Sequence, residues 1–355
     1  MKVSSYVKLA LASSIVLSGA CVLAGSPVGG YHLTKTVTYG AAPGAGATRE
    51  YFDYVIPEPS ARRIFFTEGT AVHVVNADTG EKVGTITGDW KRVHGVALVP
   101  ELNKGFITDG DSGTVIVFDT KTLKPTKTIK AEEDADWILY DQASKLIFVF
   151  NGDAHTSTAI DPVKEEVVKS IPLGGAPEQA YSDGKGMIYD TLQSTNEIVA
   201  IDTKDLVVKS RFPTAPLGAP TSITMDRKTR RLFVGGRNPK VLVMMDADTG
   251  KVVAGPFPIG DRVDANVFDP ATNMVAAATR EGTLHIFHED SPSKLSEVET
   301  IKTQFGAKTM GLDPKTHKLF LTTSDFGPAP APTEKQPNPQ PVAIPGTFHL
   351  LIYAK

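Results

Sequence analysis

Four carboxylates stand where they could act together: Asp53, Asp136, Glu178 and Asp264. Each lies five residues before a turn in a repeating unit, and Gly95, Thr221 and Lys308 fill the same column in the other units. Carboxylates brought close together repel and raise one another's pKa unless a cation sits among them. The four acids are therefore candidate ligands for a divalent cation such as Ca2+, which prefers oxygen donors. Lys308 belongs to the column itself, and Arg49, Arg262 and His94 lie close to it in sequence. Together these eight residues mark a candidate site for a metal ion or a cationic or polar small molecule. The competing reading is a hydrated, salt-bridged collar that holds no ligand.

The repeat is what must position these side chains. Residues 264–273 and 308–317 read alike, each running through Asp-Pro and a Thr into a β-rich stretch at Met274–Thr279 or Lys318–Thr323. Walking the unit backward places turns at 58, 100, 141, 183, 226, 269 and 313, in steps of 42, 41, 42, 43, 43 and 44 residues. Each unit has room for four short strands. The third strand is the clearest, as at Val72–Asn76, Val115–Asp119, Glu197–Asp202, Val241–Asp246 and Leu284–Phe287. Asp-Thr-Gly follows at 78–80 and 248–250, which suits a tight hairpin with a positive-φ position. Four strands in about 42 residues, repeated seven times, predict an all-β chain folded as a seven-bladed β-propeller of four-stranded antiparallel blades. The last unit has only three strands of its own, and an unpaired strand signal lies at His32–Tyr39. The N-terminal strand is thus expected to complete the last blade and remove its open edge.

The first 24 residues carry Lys2 and Lys8, then an apolar, Ser-containing run, then Val22–Ala24 as a small-residue exit. This is the pattern of a secretory signal and implies a periplasmic or secreted protein. The propeller domain then spans residues 31–355. Cys21, the only cysteine, lies within the signal, so membrane attachment is expected only if that residue is lipidated. A chain cut after Ala24 has no cysteine, which excludes disulfides, thiolate metal sites and a thiol nucleophile. There is no Cys-x-x-Cys-His and hence no haem attachment motif. Loss of Lys2 and Lys8 takes the net charge from −3 to −5 with no basic tract, so nucleic acid is not an expected partner. A monomer that binds a small molecule or a protein is the expected state.

Other motifs read as structure. The Asp-x-x-Thr turns at Asp226, Asp269 and Asp313 suit caps on their own backbone better than ligands. Gly105–Gly113 loosely resembles a calcium loop but lacks a twelfth-position Glu, and reads as a hairpin. The eight histidines include no His-Glu-x-x-His, and no nucleophile elbow, P-loop or dinucleotide fingerprint is present. One loop departs from the repeat: Gly327–Gly346 is proline-rich, interrupts the last blade, and has extended polyproline character. It emerges on the side of the channel mouth, where it would cover the mouth or dock a partner.

These repeats resemble the YVTN-type β-propellers, exported bacterial proteins similar in fold to the haem d1 domain of cytochrome cd1. The resemblance runs from Tyr31 to Lys355 and is most specific from Val263 onward, including Gly346–Lys355. Phe233–Gly236 and Phe148–Gly152 stand where the family has its Tyr-Val-Thr-Asn. The resemblance implies a binding or scaffold protein that is not an enzyme. Two other readings remain open. One is a propeller hydrolase, lactonase or lyase in which a cation held by Asp53, Asp136, Glu178 and Asp264 polarises a carbonyl. The other is a protein-interaction platform acting through the Pro-rich loop.

Overall fold

The computed structural model describes residues 1, 30–40, 51–334 and 337–355. The signal segment with Cys21, and also Arg49, lie outside the described residues. The chain forms seven four-stranded antiparallel sheets, and six of them are consecutive in sequence. The seventh is closed by the N-terminal strand His32–Thr38, which pairs antiparallel with the C-terminal strand His349–Ala354. This is the seven-bladed propeller expected from the repeat, with the expected latch. Blades 1 to 6 start at Phe52, Val93, Ala135, Pro177, Pro220 and Val263, and blade 7 has its first strand at Met310–Leu312. Among the described residues the single helical element is a 3-10 turn at Pro100–Leu102, and no helix is long and apolar enough to cross a membrane.

Burial follows from the stacking. Inner strands have neighbours on both faces and read as near-continuous apolar runs, as in Val115–Asp119, where Val115 to Phe118 are all buried. The buried side chains fall into seven clusters, one between each pair of adjacent blades. Phe65 and Phe118, for example, close the interface of blades 1 and 2 with ring centroids 6.0 Å apart. Removing one such ring costs about 3–5 kcal/mol. Fourth strands are the exposed outer edges. They carry Lys127, Lys169 and Lys209, or Pro256 and Pro258, which discourage edge-to-edge pairing.

One turn geometry recurs on the face away from the mouth. The residue before each second strand, or two before it in blade 7, has positive φ: Arg62, Asn103, Lys145, Gly186, Arg230, Asn273 and His317. The Asp-x-x-Thr carboxylates do cap these turns, with Thr229, Thr272 and Thr316 donating to Asp226, Asp269 and Asp313. They also bridge blades: Arg62 pairs with Asp313 at 2.6 Å and His317 with Asp269 at 2.7 Å. At the ends of the third strands, Asn76, Asp119, Asp161, Asp202 and Asp246 accept the N–H groups two and three residues on. The recurrent Val-x-Val-x-Asp pattern thus ends in an Asx turn. Gly80 and Gly250 supply positive φ where that turn closes, as expected.

Candidate functional site: a ring at the channel mouth

The first strands surround the channel, and each of the first six begins with an irregularity. Between Phe52 and Val55, Val93 and Val96, Ala135 and Ile138, and Pro177 and Ala180, the first strand carries one residue more than its partner. The same offset occurs at Pro220/Ser222 and Val263/Ala265. A bulge re-aims side chains and ends regular pairing. Here it turns one residue per blade toward the mouth. The backbone is held in place from the next blade back: Thr67 donates to the His94 carbonyl at 3.0 Å, Thr108 to Asp136 at 2.6 Å, Thr191 to Thr221 at 3.2 Å and Thr309 to Asp53 at 2.7 Å.

The register corrects one member of the sequence column. In blade 2, Val99 pairs with Lys104 as Glu58 pairs with Arg63 in blade 1, so Val99 and not Pro100 is the turn position. The blade 2 member of the ring is therefore His94, and Gly95 takes the place of Tyr54 and Trp137. Gly95 packs tightly against blade 3, where a Cβ would come within 2.9 Å of Ile138. The ring in blade order is Asp53, His94, Asp136, Glu178, Thr221, Asp264 and Lys308.

Both bases in the ring lie between two acids. His94 Nδ1 is 2.9 Å from Asp53 Oδ2 and 3.0 Å from Asp136 Oδ1. Lys308 Nζ is 3.5 Å from Asp53 Oδ1 and hydrogen-bonds Asp264. Tyr51 adds a hydroxyl that donates to Asp53 at 2.6 Å and stands 2.8 Å from His94 Nδ1. Arg237, at the end of the second strand of blade 5, holds the other side of Asp264. Gln193 donates to Glu178 at 2.8 Å and to Thr221 at 3.2 Å. Beneath the acids, the rings of Tyr54 and Trp137 meet edge to face with centroids 4.5 Å apart.

Proton affinities follow from burial and neighbours. Burial alone would lower His94, but Asp136 and Asp53 outweigh it and raise the imidazole to about 10. Burial would raise Asp53, yet Lys308 and His94 pull it down to about 2. Glu178 behaves differently: burial, helped by Asp264 and Asp136 and opposed by Arg237, pushes it up to about 8. Burial also raises the Tyr54 hydroxyl, and Asp136, Asp53, Asp264 and Glu178 add to the rise, which places this hydroxyl among all four acids. Asp190, fully buried in blade 4, is raised by burial and then by Glu178, against the backbone N–H groups of Thr191 and Glu178.

Of the residues singled out in sequence, Asp53, His94, Asp136, Glu178, Asp264 and Lys308 belong to this one ring. Arg262 stays outside it, half-exposed and 4.0 Å from its neighbour Asp261. The four acids do not form one open cage, because Lys308 and Arg237 occupy Asp264, and Gln193 occupies Glu178. Among the described residues, the set whose donor atoms come within 4.8 Å of one another is Asp53, His94 and Asp136. Sequence reasoning missed Tyr51, Tyr54, Trp137, Gln193 and Arg237. Tyr54 and Trp137 were visible as an aromatic one residue after the acid in two units. Arg237 carried no such signal, since it lies where the second strand of blade 5 outruns the others.

The Pro-rich segment leaves the second strand of blade 7 on the mouth side. Its stem closes through a bridge between Phe326 and Ala343, and Phe326 meets Phe305 edge to face at 4.9 Å. Arg280 lies over both rings. A cleft of about 450 Å³ opens beside this stem, lined by Gln304, Phe305, Asp325, Phe326 and Pro341 among others.

The fold and this ring define the class: a closed seven-bladed β-propeller with a charged channel mouth. Among solved structures, hydrazine synthase of Kuenenia stuttgartiensis is similar, with a TM-score of 0.69, 14% identity, and 79% of this chain and 95% of that chain covered. A chain in the crystal structure of a mitotic checkpoint complex has a TM-score of 0.70 at 13% identity, covering 97% and 99%. Both likenesses are of fold alone. No family model and no curated protein matches the chain.

Proposed function

We propose that this chain is an exported binding propeller of the YVTN type that takes a cationic ligand at its channel mouth and does not turn it over. The observation that carries the reading is the notch formed by Asp53, His94 and Asp136, whose donor atoms all lie within 4.8 Å of one another. Lys308 and Arg237 stay on Asp53 and Asp264, so the His94 proton is the charge that an arriving cation can replace. Asp53 and Asp264 are almost wholly buried, at 4% and 6% exposure, and Asp136 is partly open to the channel, so a cation entering there loses water but gains acids already in place. Tyr54 and Trp137 offer aromatic surface below, which favours cations further. Binding without turnover fits because the acids are already held by neighbouring donors, Asp264 by Lys308 and Arg237 and Glu178 by Gln193. Export is supported by the charged, apolar and small-residue order of residues 1–24.

The test is a thermal-shift panel of divalent cations, polyamines and small anions on the full chain and on an Asp53→Asn/Asp136→Asn variant. Cations of at least one kind are expected to raise the melting temperature of the parent and not of the variant. Stabilisation by anions only, or equal shifts in both proteins, would overturn the reading.

A further inference from the structure

Two ring positions do the same job with different chemistry. At blade 7 the cation between two acids is an ammonium that keeps its protons. At blade 2 it is an imidazole, a group that can exchange a proton for a metal ion. Resting on the cation-binding reading above, the geometry points to a transition-metal site at the blade 2 notch, with Zn2+ as the representative ion. Its ligands are His94 Nδ1, Asp53 Oδ2 and Asp136 Oδ1, and the Tyr51 hydroxyl faces the fourth position.

The first argument is a shortage of protons. Three oxygens stand 2.8–3.0 Å from His94 Nδ1: those of Tyr51, Asp53 and Asp136. Nδ1 carries at most one proton, and the Tyr51 proton is already directed to Asp53 at 2.6 Å. Asp136 Oδ1, buried and facing Nδ1, is left without a hydrogen bond. A divalent ion in place of the Nδ1 proton satisfies all these atoms at once, and binding releases that proton. The second argument is size. Donors about 2.1 Å from a tetrahedral ion stand roughly 3.4 Å from one another. The donor atoms here are all within 4.8 Å of one another, so small side-chain shifts close the site.

The third argument lies behind the ring. His94 is 3% exposed, yet its Nε2 has no partner. A metal-bound histidine usually donates its second N–H to a carboxylate, directly or through water. Gly110 leaves room for this: a Cβ there would lie 2.6 Å from His94 Nε2 and 3.1 Å from Asp134 Oδ1. Asp134 is fixed nearby by Arg92 at 3.1 Å. The nitrogen donor also sets the metal class. Imidazole with two carboxylates suits Zn2+, Co2+ or Fe2+, whereas the Ca2+ expected from sequence takes six to eight oxygens. An all-oxygen cage is not available here, because Asp264 and Glu178 are engaged elsewhere.

The experiment is equilibrium titration of Zn2+ and Co2+ into the chelator-stripped full chain, with Co2+ visible absorption as the ligand-field readout. One ion per chain is expected, with a spectrum typical of low coordination. Asp136→Asn and His94→Gln should each weaken binding by about 100-fold or more, and Asp134→Asn by about 10-fold. His288→Gln, which removes an exposed His–Asp290 pair, should change nothing. If His94→Gln fails to fold, Asp136→Asn decides alone. Polyamine binding without metal binding would overturn the metal site and leave the cation-binding reading intact, while binding of neither would overturn both. An ion that stays bound equally well in Asp136→Asn would place the metal elsewhere and overturn the site.

Discussion

Blades 6, 7, 1, 2 and 3 present Asp264, Lys308, Asp53, His94 and Asp136 to the mouth, so charge alternates in sign along that arc. Blades 4 and 5 complete the ring with Glu178 and Thr221, joined by Gln193 and with no base between them. Both arcs put carboxylates in a poorly hydrated channel, but they avoid the cost differently. The alternating arc sets a cation beside each acid, and Lys308 and His94 pull Asp53 down to about 2. In the other arc burial raises Glu178 to about 8, so it keeps its proton near neutral pH. The two arcs should therefore lose stability at opposite ends of the pH scale.

The largest effect is expected from breaking the alternation. Lys308→Met removes the ammonium that Asp53 and Asp264 share and leaves two buried carboxylates under-compensated. A loss of about 3–5 kcal/mol is expected at pH 7, measured as a shift in urea midpoint at unchanged m-value. Adding Asp53→Asn should recover part of it, because the neighbouring sites are coupled. Full additivity of the two substitutions would show that the ammonium does not act on Asp53.

The second prediction sharpens the contrast through pH. The folded pKa of Glu178 lies above its ordinary value of 4.5, so the folded state holds a proton that the unfolded chain releases. Stability from this group is lost as pH rises from about 4.5 through about 8. Asp53 has the opposite sign: its folded pKa is about 2, below the ordinary 3.8, so its contribution is present above 3.8 and lost as pH falls toward 2. Glu178→Gln should thus be near neutral at pH 5 and stabilising by about 1–2 kcal/mol at pH 8.5, a figure reduced for channel water. A pH-independent effect of the substitution would mean that Glu178 is ionised throughout.

How far the sequence carries is clear from these same residues. The blade count, the latch and six of the seven ring positions were legible, because a repeat near 42 residues keeps register wherever the turn keeps its markers. Blade 2 slipped by one because its turn position is Val99, where the other units carry Asp or, in blade 1, Glu58. With no carboxylate to mark the turn, the column landed on Gly95 and left His94 as a neighbour. Pairing was also not legible. That His94 bridges two acids while Arg262 faces away depends on bulges and on neighbouring blades, neither of which a single unit encodes. The partners of Asp264 and Glu178 were hidden for the same reason: Arg237 and Gln193 come from second strands and their ends, outside the column of first-strand residues.

The smaller effects test whether the second arc and the loop beyond it matter to the fold at all. Thr221→Val removes a hydroxyl that accepts from Gln193 and donates to the Ala219 carbonyl at 3.1 Å. Its cost should be about 1 kcal/mol, since the lost bonds join uncharged groups. That is well below the Lys308 effect even though Thr221 is the more buried of the two, at 1% exposure. A loss equal to that of Lys308→Met would erase the distinction between the arcs. Smallest of all should be replacing residues 328–341 with a short Gly-Ser link. The described residues of this segment are exposed or half-buried, and the stem is held by Phe326, Ala343 and Phe305, which the replacement keeps. The change in stability should stay within about 0.5 kcal/mol. Cation affinity at the ring should also be unchanged, because the acids and bases of the alternating arc come from first strands or, for Lys308, from the turn leading into one. A several-fold drop in affinity would instead make the loop a cover for the mouth and tie the two regions into one site.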